Sequence, residues 1–438
     1  MSRTARNRAR EKADLLIVNA NELVTLAGDS QKPRVGKQMR ELGIIRDGCL
    51  AVRDGRIAAV GKTSEIAKLF RAEAIISANG KTVLPGFVDS HTHLIFAGSR
   101  EDEFQMRVEG ASFLEILGAG GGILKTVRDT RKASIDRLVD LGVKTLDAML
   151  AHGTTTVEAK SGYGLTTKDE LKILEATRRV NQLHTVDVVS TFLGALAVPL
   201  EYKGNLRGYV DLVAEEMLPK VAASVLAEFC DVLCEKDAFG LEQSRRVLMA
   251  AKNHGLRVKV HADEMSWSGG AELAADVGAI SAEHLLFSSV DGVKAMASKG
   301  VVAVLLPAAA LSLMLGRFAD ARLMIDCGVP VALGTDFNPS CLVESMQLIV
   351  AFACHFMRLT PAEAITAATI NSAHAVGRAG DVGSLEVGKR ADVVVLDAPN
   401  HKFLGYHLGV NLVEKVVKNG RVVVDKEANP SEIVHLEE

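Results

Sequence analysis

The sequence predicts an α/β protein: a (β/α)8 TIM-like barrel with a small β-sandwich domain built from both chain termini. Three observations predict it. Eight apolar β-type runs occupy the middle of the chain, ending near Leu94, Ala159, Gly194, Glu235, Ala262, Leu285, Leu306 and Thr335. Helical patterns lie between most of them, and this alternation argues for parallel strands joined by helices. The two chain ends are written differently, as short strands broken by Asp-Gly and Asn-Gly turns. The expected organisation is a basic tail and the first part of the β-domain over 1–83, the barrel over 84–376, and the rest of the β-domain over 377–438. At 438 residues and 48% hydrophobic content the chain has ample material for a large core, built from Ala, Val, Leu and Ile because aromatics are only 4%.

Taken in order, residues 13–83 carry β-type runs such as Ala13-Asp-Leu-Leu-Ile-Val-Asn-Ala and Gly48-Cys-Leu-Ala-Val-Arg-Asp-Gly. Pro85-Gly86 then marks an abrupt start to the first barrel strand. Helices are expected over 134–151, 168–183, 219–229, 241–254, 268–277, 289–299 and 319–327, and two apolar ones over 343–357 and 361–376. Gly388-Lys-Arg-Ala-Asp-Val-Val-Val-Leu-Asp reads as a strand returning to the β-domain, and Val416-Val-Lys-Asn-Gly-Arg-Val-Val-Val as a hairpin.

A formal net charge of −3 implies neither a nucleic-acid nor a membrane partner. The basic opening stretch (Arg3, Arg6, Arg8, Arg10, Lys12) has no apolar run after it and reads as a solvated terminus, not a secretory signal. No apolar run is long enough to span a bilayer. The six cysteines are scattered, with no Cys-x-x-Cys pair, which suggests a reducing compartment, the cytoplasm.

In a (β/α)8 barrel, chemistry gathers at the C-terminal ends of the strands. There the sequence places His91 and His93 after strand one and Glu158 on strand two. Glu235 follows strand four, His261 and Glu264 strand five, His284 strand six and Asp336 strand eight. Histidines spaced i, i+2 on a strand share a face, so His91 and His93 can serve one metal ion. Apolar strands ending in His, His and Asp are costly unless these groups find partners. Three imidazoles and a carboxylate suit Zn²⁺, with Fe²⁺ as the alternative, one ion per chain. Singly, each residue has a plainer explanation. His261 and His284 could be hydrogen-bonded core histidines, Glu264 a salt-bridge partner, and Asp336 the cap of the following helix. Their joint appearance in barrel order favours the metal.

These segments resemble the amidohydrolase superfamily of metal-dependent hydrolases, through Pro85-Gly-Phe-Val-Asp-Ser-His-Thr-His and Gly388-Lys-Arg-Ala-Asp-Val-Val-Val-Leu-Asp. Within it the chain is similar to the imidazolonepropionase family, which opens the imidazolone ring of histidine degradation to give N-formimidoylglutamate. The matching motifs are Phe-Ala-Gly-Ser-Arg-Glu around Arg100, Gly-Ala-Gly-Gly-Gly-Ile at 118–123, Lys-Ser-Gly-Tyr-Gly-Leu around Tyr163 and His-Ala-Asp-Glu at 261–264. Further matches are Ser-Ala-Glu-His-Leu-Leu near His284, Thr-Asp-Phe-Asn-Pro near Asp336 and Ala-Ala-Thr-Ile-Asn-Ser-Ala at 367–373.

The resemblance implies His91, His93, His261 and Asp336 as metal ligands, Glu264 as the proton-transfer residue and His284 as the group that polarises the substrate carbonyl. Asp336 is the alternative proton acceptor. It implies Arg100 and Tyr163 as substrate holders, Asn338 as a product contact, and a homodimer. Arg100 would grip a substrate carboxylate; its alternative is an ion pair with Glu101 or Glu103. The Gly120–Gly122 run would let backbone approach a ligand, or be only a turn.

The chain departs from the family pattern at Leu196, where the family has a histidine, and at Ser340 and Cys341, where it has a glycine and a small hydroxyl residue. Pro307-Ala-Ala-Ala-Leu also replaces a stretch with Gly-Thr and aromatics. Two further readings therefore stay open: a related amidohydrolase or aminohydrolase acting on a different small heterocycle, and a non-catalytic barrel used for binding or assembly.

Overall fold

The computed structural model describes residues 10–236 and 238–426, so Arg3, Arg6 and Arg8 of the basic stretch lie outside the described residues. Eight parallel strands form one sheet: β1 (Phe87–Asp89), β2 (Thr154–Lys160), β3 (Asp187–Ala195), β4 (Phe229–Cys234), β5 (Arg257–Ala262), β6 (Ser281–His284), β7 (Val302–Leu305) and β8 (Val331–Leu333). Each pairs with its neighbours in chain order. The ring closes just beyond β1 and β8, where Asp336 N–H donates to His91 O (3.0 Å) and His93 N–H to Phe337 O (2.8 Å). The strands are buried on both faces, as parallel barrel strands are.

The expected helices are found at Ile135–Ala151, Thr167–Leu183, Leu241–Asn253, Gly270–Val277, Val290–Lys299 and Ala321–Asp326, and the apolar pair at Met346–Met357 and from Pro361 to Ala375. The helix expected over 219–229 is corrected. It runs from Leu206 through a π turn at Val213–Met217 and ends at Ala223, and Phe229 already opens β4. Val225, with φ +50°, breaks the helix, and a left-handed backbone at a β-branched residue cannot continue it. Three helices absent from the sequence reading, Glu101–Val108, Phe113–Gly118 and Ile123–Lys132, fill the long excursion after β1.

The chain ends build two sheets. One has four strands, in the order Arg56–Lys62, Gly48–Arg53, Glu11–Ala20, Phe70–Ser77. The other has six and interleaves the two ends: Arg421–Asp425, Val413–Lys418, Val393–Leu396, Thr82–Pro85, Glu22–Val24, Ile44–Ile45. Leu15, Ile17, Leu50 and Val52 of the first share one buried cluster with Val83, Val393, Val395 and Val417 of the second, so the sheets pack as a sandwich. Both expected hairpin turns have two left-handed residues, Asp54-Gly55 and Asn419-Gly420, as a type I′ turn needs. Gly86 is where the chain crosses from sandwich to barrel. A Cβ there would lie 2.3 Å from Thr155 Oγ1, so no side chain fits.

Candidate active site

At the C-terminal end of the barrel the ring of His91 lies 4.6 Å from that of His261, 5.4 Å from His284 and 5.6 Å from His93. Asp336 Oδ1 sits 3.4 Å from His91 Nε2 and 3.7 Å from His93 Nε2. The possible ligand atoms of His91, His93 and Asp336 all lie within 4.8 Å of one another, and so do those of His91, His261 and His284. His91 is common to both sets, and the five residues form one cluster. Asp336 caps no helix: the next one starts at Met346 and is capped by Ser345.

The cluster fits a metal on its own chemistry. Both ring nitrogens of His91 and of His261, and Oδ1 of Asp336, are buried without a hydrogen bond of regular geometry. Meanwhile His261 Nδ1 faces Asp231 Oδ2 at 2.8 Å, and His91 Nδ1 faces Glu283 Oε2 at 3.3 Å. A carboxylate on Nδ1 fixes the proton there and leaves the Nε2 lone pair aimed inward, the arrangement metal-binding histidines use. Burial holds His91, His93 and His284 well below the ordinary imidazole range, so all three are neutral at pH 7. Burial also acts on His261, but Asp231 outweighs it and raises that imidazole. Burial pushes Asp336 up to about 6, against the pull of His261.

Glu264 Oε1 lies 3.5 Å from His284 Nδ1, beside the cluster. Burial, reinforced by Asp336, pushes its carboxyl up to about 8, so it can hold a proton near neutrality.

Beneath the cluster is a set of buried charges, of which the sequence singled out only Glu158. Lys160 Nζ lies 2.7 Å from Asp231, 3.1 Å from Glu283 and 3.0 Å from Glu158, and Lys259 Nζ lies 2.9 Å from Glu158. All five side chains are fully buried. The available signal was charge at inward positions of otherwise apolar strands: Glu158 and Lys160 on β2, Asp231 on β4, Lys259 on β5, Glu283 on β6.

The expected substrate residues are placed unevenly. Tyr163 is buried, its ring 5.4 Å from that of His93, on a loop whose Gly162 has φ +115°. Arg100 Nη1 is 3.9 Å from Glu103 Oε2, while its Nε is buried without a partner. Glu103 also accepts from Gly122 N–H (2.9 Å), which makes the glycine run a turn into the helix at Ile123. Leu196 is buried; a Cβ added at Gly162 would meet its Cδ2 at 3.0 Å, so it backs the Tyr163 loop. Asn338 spends its amide locally, donating to Asp336 O (2.7 Å) and accepting from Ser340 N–H (2.8 Å). The Cys341 thiol is buried against Thr335 O.

The Tyr163 loop has its own anchor. Glu170, fully buried, accepts from the N–H groups of Gly162 (3.0 Å), Gly164 (2.8 Å) and Leu165 (2.8 Å). Glu170→Ala strands three buried donors and is expected to cost about 3 kcal/mol or more, at roughly 1–3 kcal/mol for each. A lowered denaturant midpoint checks this. A midpoint equal to the parent's would show that the loop is held by something else.

A model of the Amidohydrolase family matches residues 82–423. The chain belongs to the amidohydrolase family. Among its relatives, imidazolonepropionase of Geobacillus sp. (strain WCH70) is 54% identical over 415 residues, covering 94% of this chain and 98% of that protein. The imidazolonepropionase of Alkaliphilus metalliredigens (strain QYMF) is 52% identical over 416 residues, with the same coverage. Among solved structures, a zinc-bound adenosine deaminase from Xanthomonas campestris superposes with a TM-score of 0.70 at 20% identity, covering 97% of each chain. A mutant atrazine chlorohydrolase from Arthrobacter aurescens, complexed with zinc and atraton, gives 0.74 at 18%, over 96% of this chain and 98% of that one. At such identities these two speak for the fold alone. This amidohydrolase is accordingly a hydrolase that uses a metal and acts on a small molecule. Among the described residues all six cysteines are free, and no helix is long and apolar enough to cross a membrane.

Proposed function

We propose that the chain hydrolyses the cyclic amide of 4-imidazolone-5-propanoate to N-formimidoyl-L-glutamate, as an imidazolonepropionase of histidine degradation. The observation that carries the chemistry is the convergence of unpaired, buried His91 Nε2, His261 Nε2 and Asp336 Oδ1 beside Glu264 and His284. The match to imidazolonepropionases over 94% of the chain supports the substrate. His91, His93, His261 and Asp336 would hold Zn²⁺, or Fe²⁺ as the alternative. When bound, that ion supplies Lewis acidity, lowering the pKa of a water and polarising the carbonyl.

The chain's own groups do the rest. Glu264, with Asp336 as the alternative, takes a proton from the attacking water. It keeps that proton until the ring nitrogen leaves, and then delivers it there. His284, held neutral, has one N–H to offer the developing oxyanion. Arg100, with its buried unpaired Nε, is the group we assign to the propionate carboxylate, and Tyr163 closes the same side of the site. A cytoplasmic homodimer is the setting we propose, supported by the family resemblance and the free thiols.

Ring opening of imidazolone propionate by the metal-loaded protein, followed as loss of ultraviolet absorbance, tests the reading. Turnover is expected. A specific observation keeps a second reading, hydrolysis of a different small heterocycle. Leu196 offers no hydrogen bond where the family has an imidazole, and a polar substrate atom left unpaired there costs about 1–3 kcal/mol. Leu196→His is expected to change turnover by no more than about tenfold, the equivalent of some 1.4 kcal/mol. Activity found only in the histidine variant would favour the second reading.

A further inference from the structure

We propose that Glu235, at the end of β4, is a positioning residue that latches the loop 264–268 and thereby fixes Glu264 for proton transfer. The inference rests on the role given to Glu264 above. In register, Leu233 pairs with His261 and Cys234 with Ala262, so the residue just after β4 comes alongside the start of this loop. Glu235 is only 6% exposed. Its Oε1 accepts from the backbone N–H of Glu264 (2.6 Å) and of Met265 (2.9 Å). Its Oε2 accepts from the hydroxyls of Ser266 (2.9 Å) and Ser268 (3.1 Å).

Four donors converge on one carboxylate, which is acceptor-only when ionised and so matches them all. The far end of the loop is held separately. Asp263 accepts from the N–H groups of Ser268 (2.9 Å), Gly270 (3.0 Å) and Ala271 (3.2 Å) and from the Ser288 hydroxyl (2.9 Å). Between the anchors the side chains of Met265 and Trp267 stand out in solvent, 47% and 63% exposed, and contribute little packing. The chain before Glu264 is tied at Asp263, whose carbonyl accepts from Phe287 N–H (2.9 Å), while the N–H groups of Glu264 and Met265 themselves rest on Glu235. Among the described residues the Glu264 carboxylate has one ion-pair contact, 3.5 Å to His284. Proton transfer needs hydrogen-bond reach, so a shift of about 1 Å is enough to cost rate.

Trp267 is the only tryptophan in the chain and lies inside the latched loop, so it reports the latch without any substrate. In Glu235→Ala, kcat for imidazolone propionate is expected to fall roughly 10- to 100-fold with KM and metal content unchanged. The time-resolved anisotropy of Trp267 is expected to gain a fast local component. Glu235→Gln should restore both readouts, because its amide oxygen can face the two N–H groups while its NH2 donates to the two serine oxygens. Should the alanine variant not fold, Glu235→Asp, which keeps the charge but retracts it by one carbon, carries the same two expectations.

Parent-like kcat and parent-like anisotropy in these variants overturn the proposal. A fall in kcat with unchanged anisotropy also overturns it, since the loop would not have loosened. If the parent does not open imidazolone propionate but Trp267 loosens in Glu235→Ala, the latch stands and the substrate reading fails. If the parent is active and Glu235→Ala matches it, the substrate reading stands and the latch fails.

Discussion

Replacing Glu264 with glutamine is expected to leave bound metal unchanged and to cut turnover by about 10²- to 10⁴-fold, the range for loss of a positioned general acid–base. Replacing His261 with alanine is expected to remove turnover and metal together. The two outcomes differ because the two side chains face different partners. His261 lies in the cluster with Nε2 unpaired and its Nδ1 2.8 Å from Asp231 Oδ2, so its loss opens the donor set itself. Glu264 touches His284 at 3.5 Å and is not needed to complete either group of converging donor atoms. Glutamine keeps the size of the side chain and can still accept a hydrogen bond, but it cannot take up and return a proton. Metal content per chain, measured beside the initial rate, separates the cases. A Glu264→Gln protein that had lost its metal would move Glu264 into the ligand set, and one with full turnover would pass the proton transfer to Asp336.

Much of this site was legible because β/α barrels place chemistry at strand ends. Once the eight apolar runs were recognised, the residues following them were candidates by position, and His91, His93, His261, His284, Glu264 and Asp336 do gather there. The i, i+2 spacing of His91 and His93 carried through as both imidazoles reaching one Asp336 oxygen. What stayed hidden depends on contacts between distant segments. Nothing local in Cys234-Glu-Lys says that the Glu235 carboxylate bonds a loop some thirty residues on, and only the β4–β5 register makes that contact. Asp231 and Lys160 look like isolated charges until the barrel closes and turns both inward. Asn338 shows the reverse case: a residue in a matching motif whose amide is engaged within its own turn.

Lys160→Met is expected to destabilise the protein by about 3–5 kcal/mol, the usual cost of removing one partner from a buried ion pair. The network holds two cationic and three anionic side chains: Lys160 and Lys259 against Glu158, Asp231 and Glu283. Burial would lower the Lys160 ammonium, but Asp231, Glu158 and Glu283 outweigh it and raise it, so this lysine is charged in the folded protein. Methionine fills much the same volume but leaves three buried carboxylates to share Lys259, which reaches Glu158 at 2.9 Å and Glu283 only at 3.5 Å. The consequence extends beyond stability. Asp231 and Glu283 are the groups that face Nδ1 of His261 and His91, and Lys160 lies 2.7 Å and 3.1 Å from those same carboxylates. Once released, they are free to leave the orientation that points both Nε2 atoms inward, and loss of such outer partners typically costs 10- to 100-fold in metal affinity. Denaturant unfolding of the metal-free protein measures the first effect, and competition with a chelator measures the second. A variant that unfolds within about 1 kcal/mol of the parent would mean that water reaches these carboxylates and that the charges beneath the site are not sealed. One that is destabilised yet binds metal as tightly as the parent would confine Lys160 to the fold and leave the aiming of His91 and His261 to the barrel backbone.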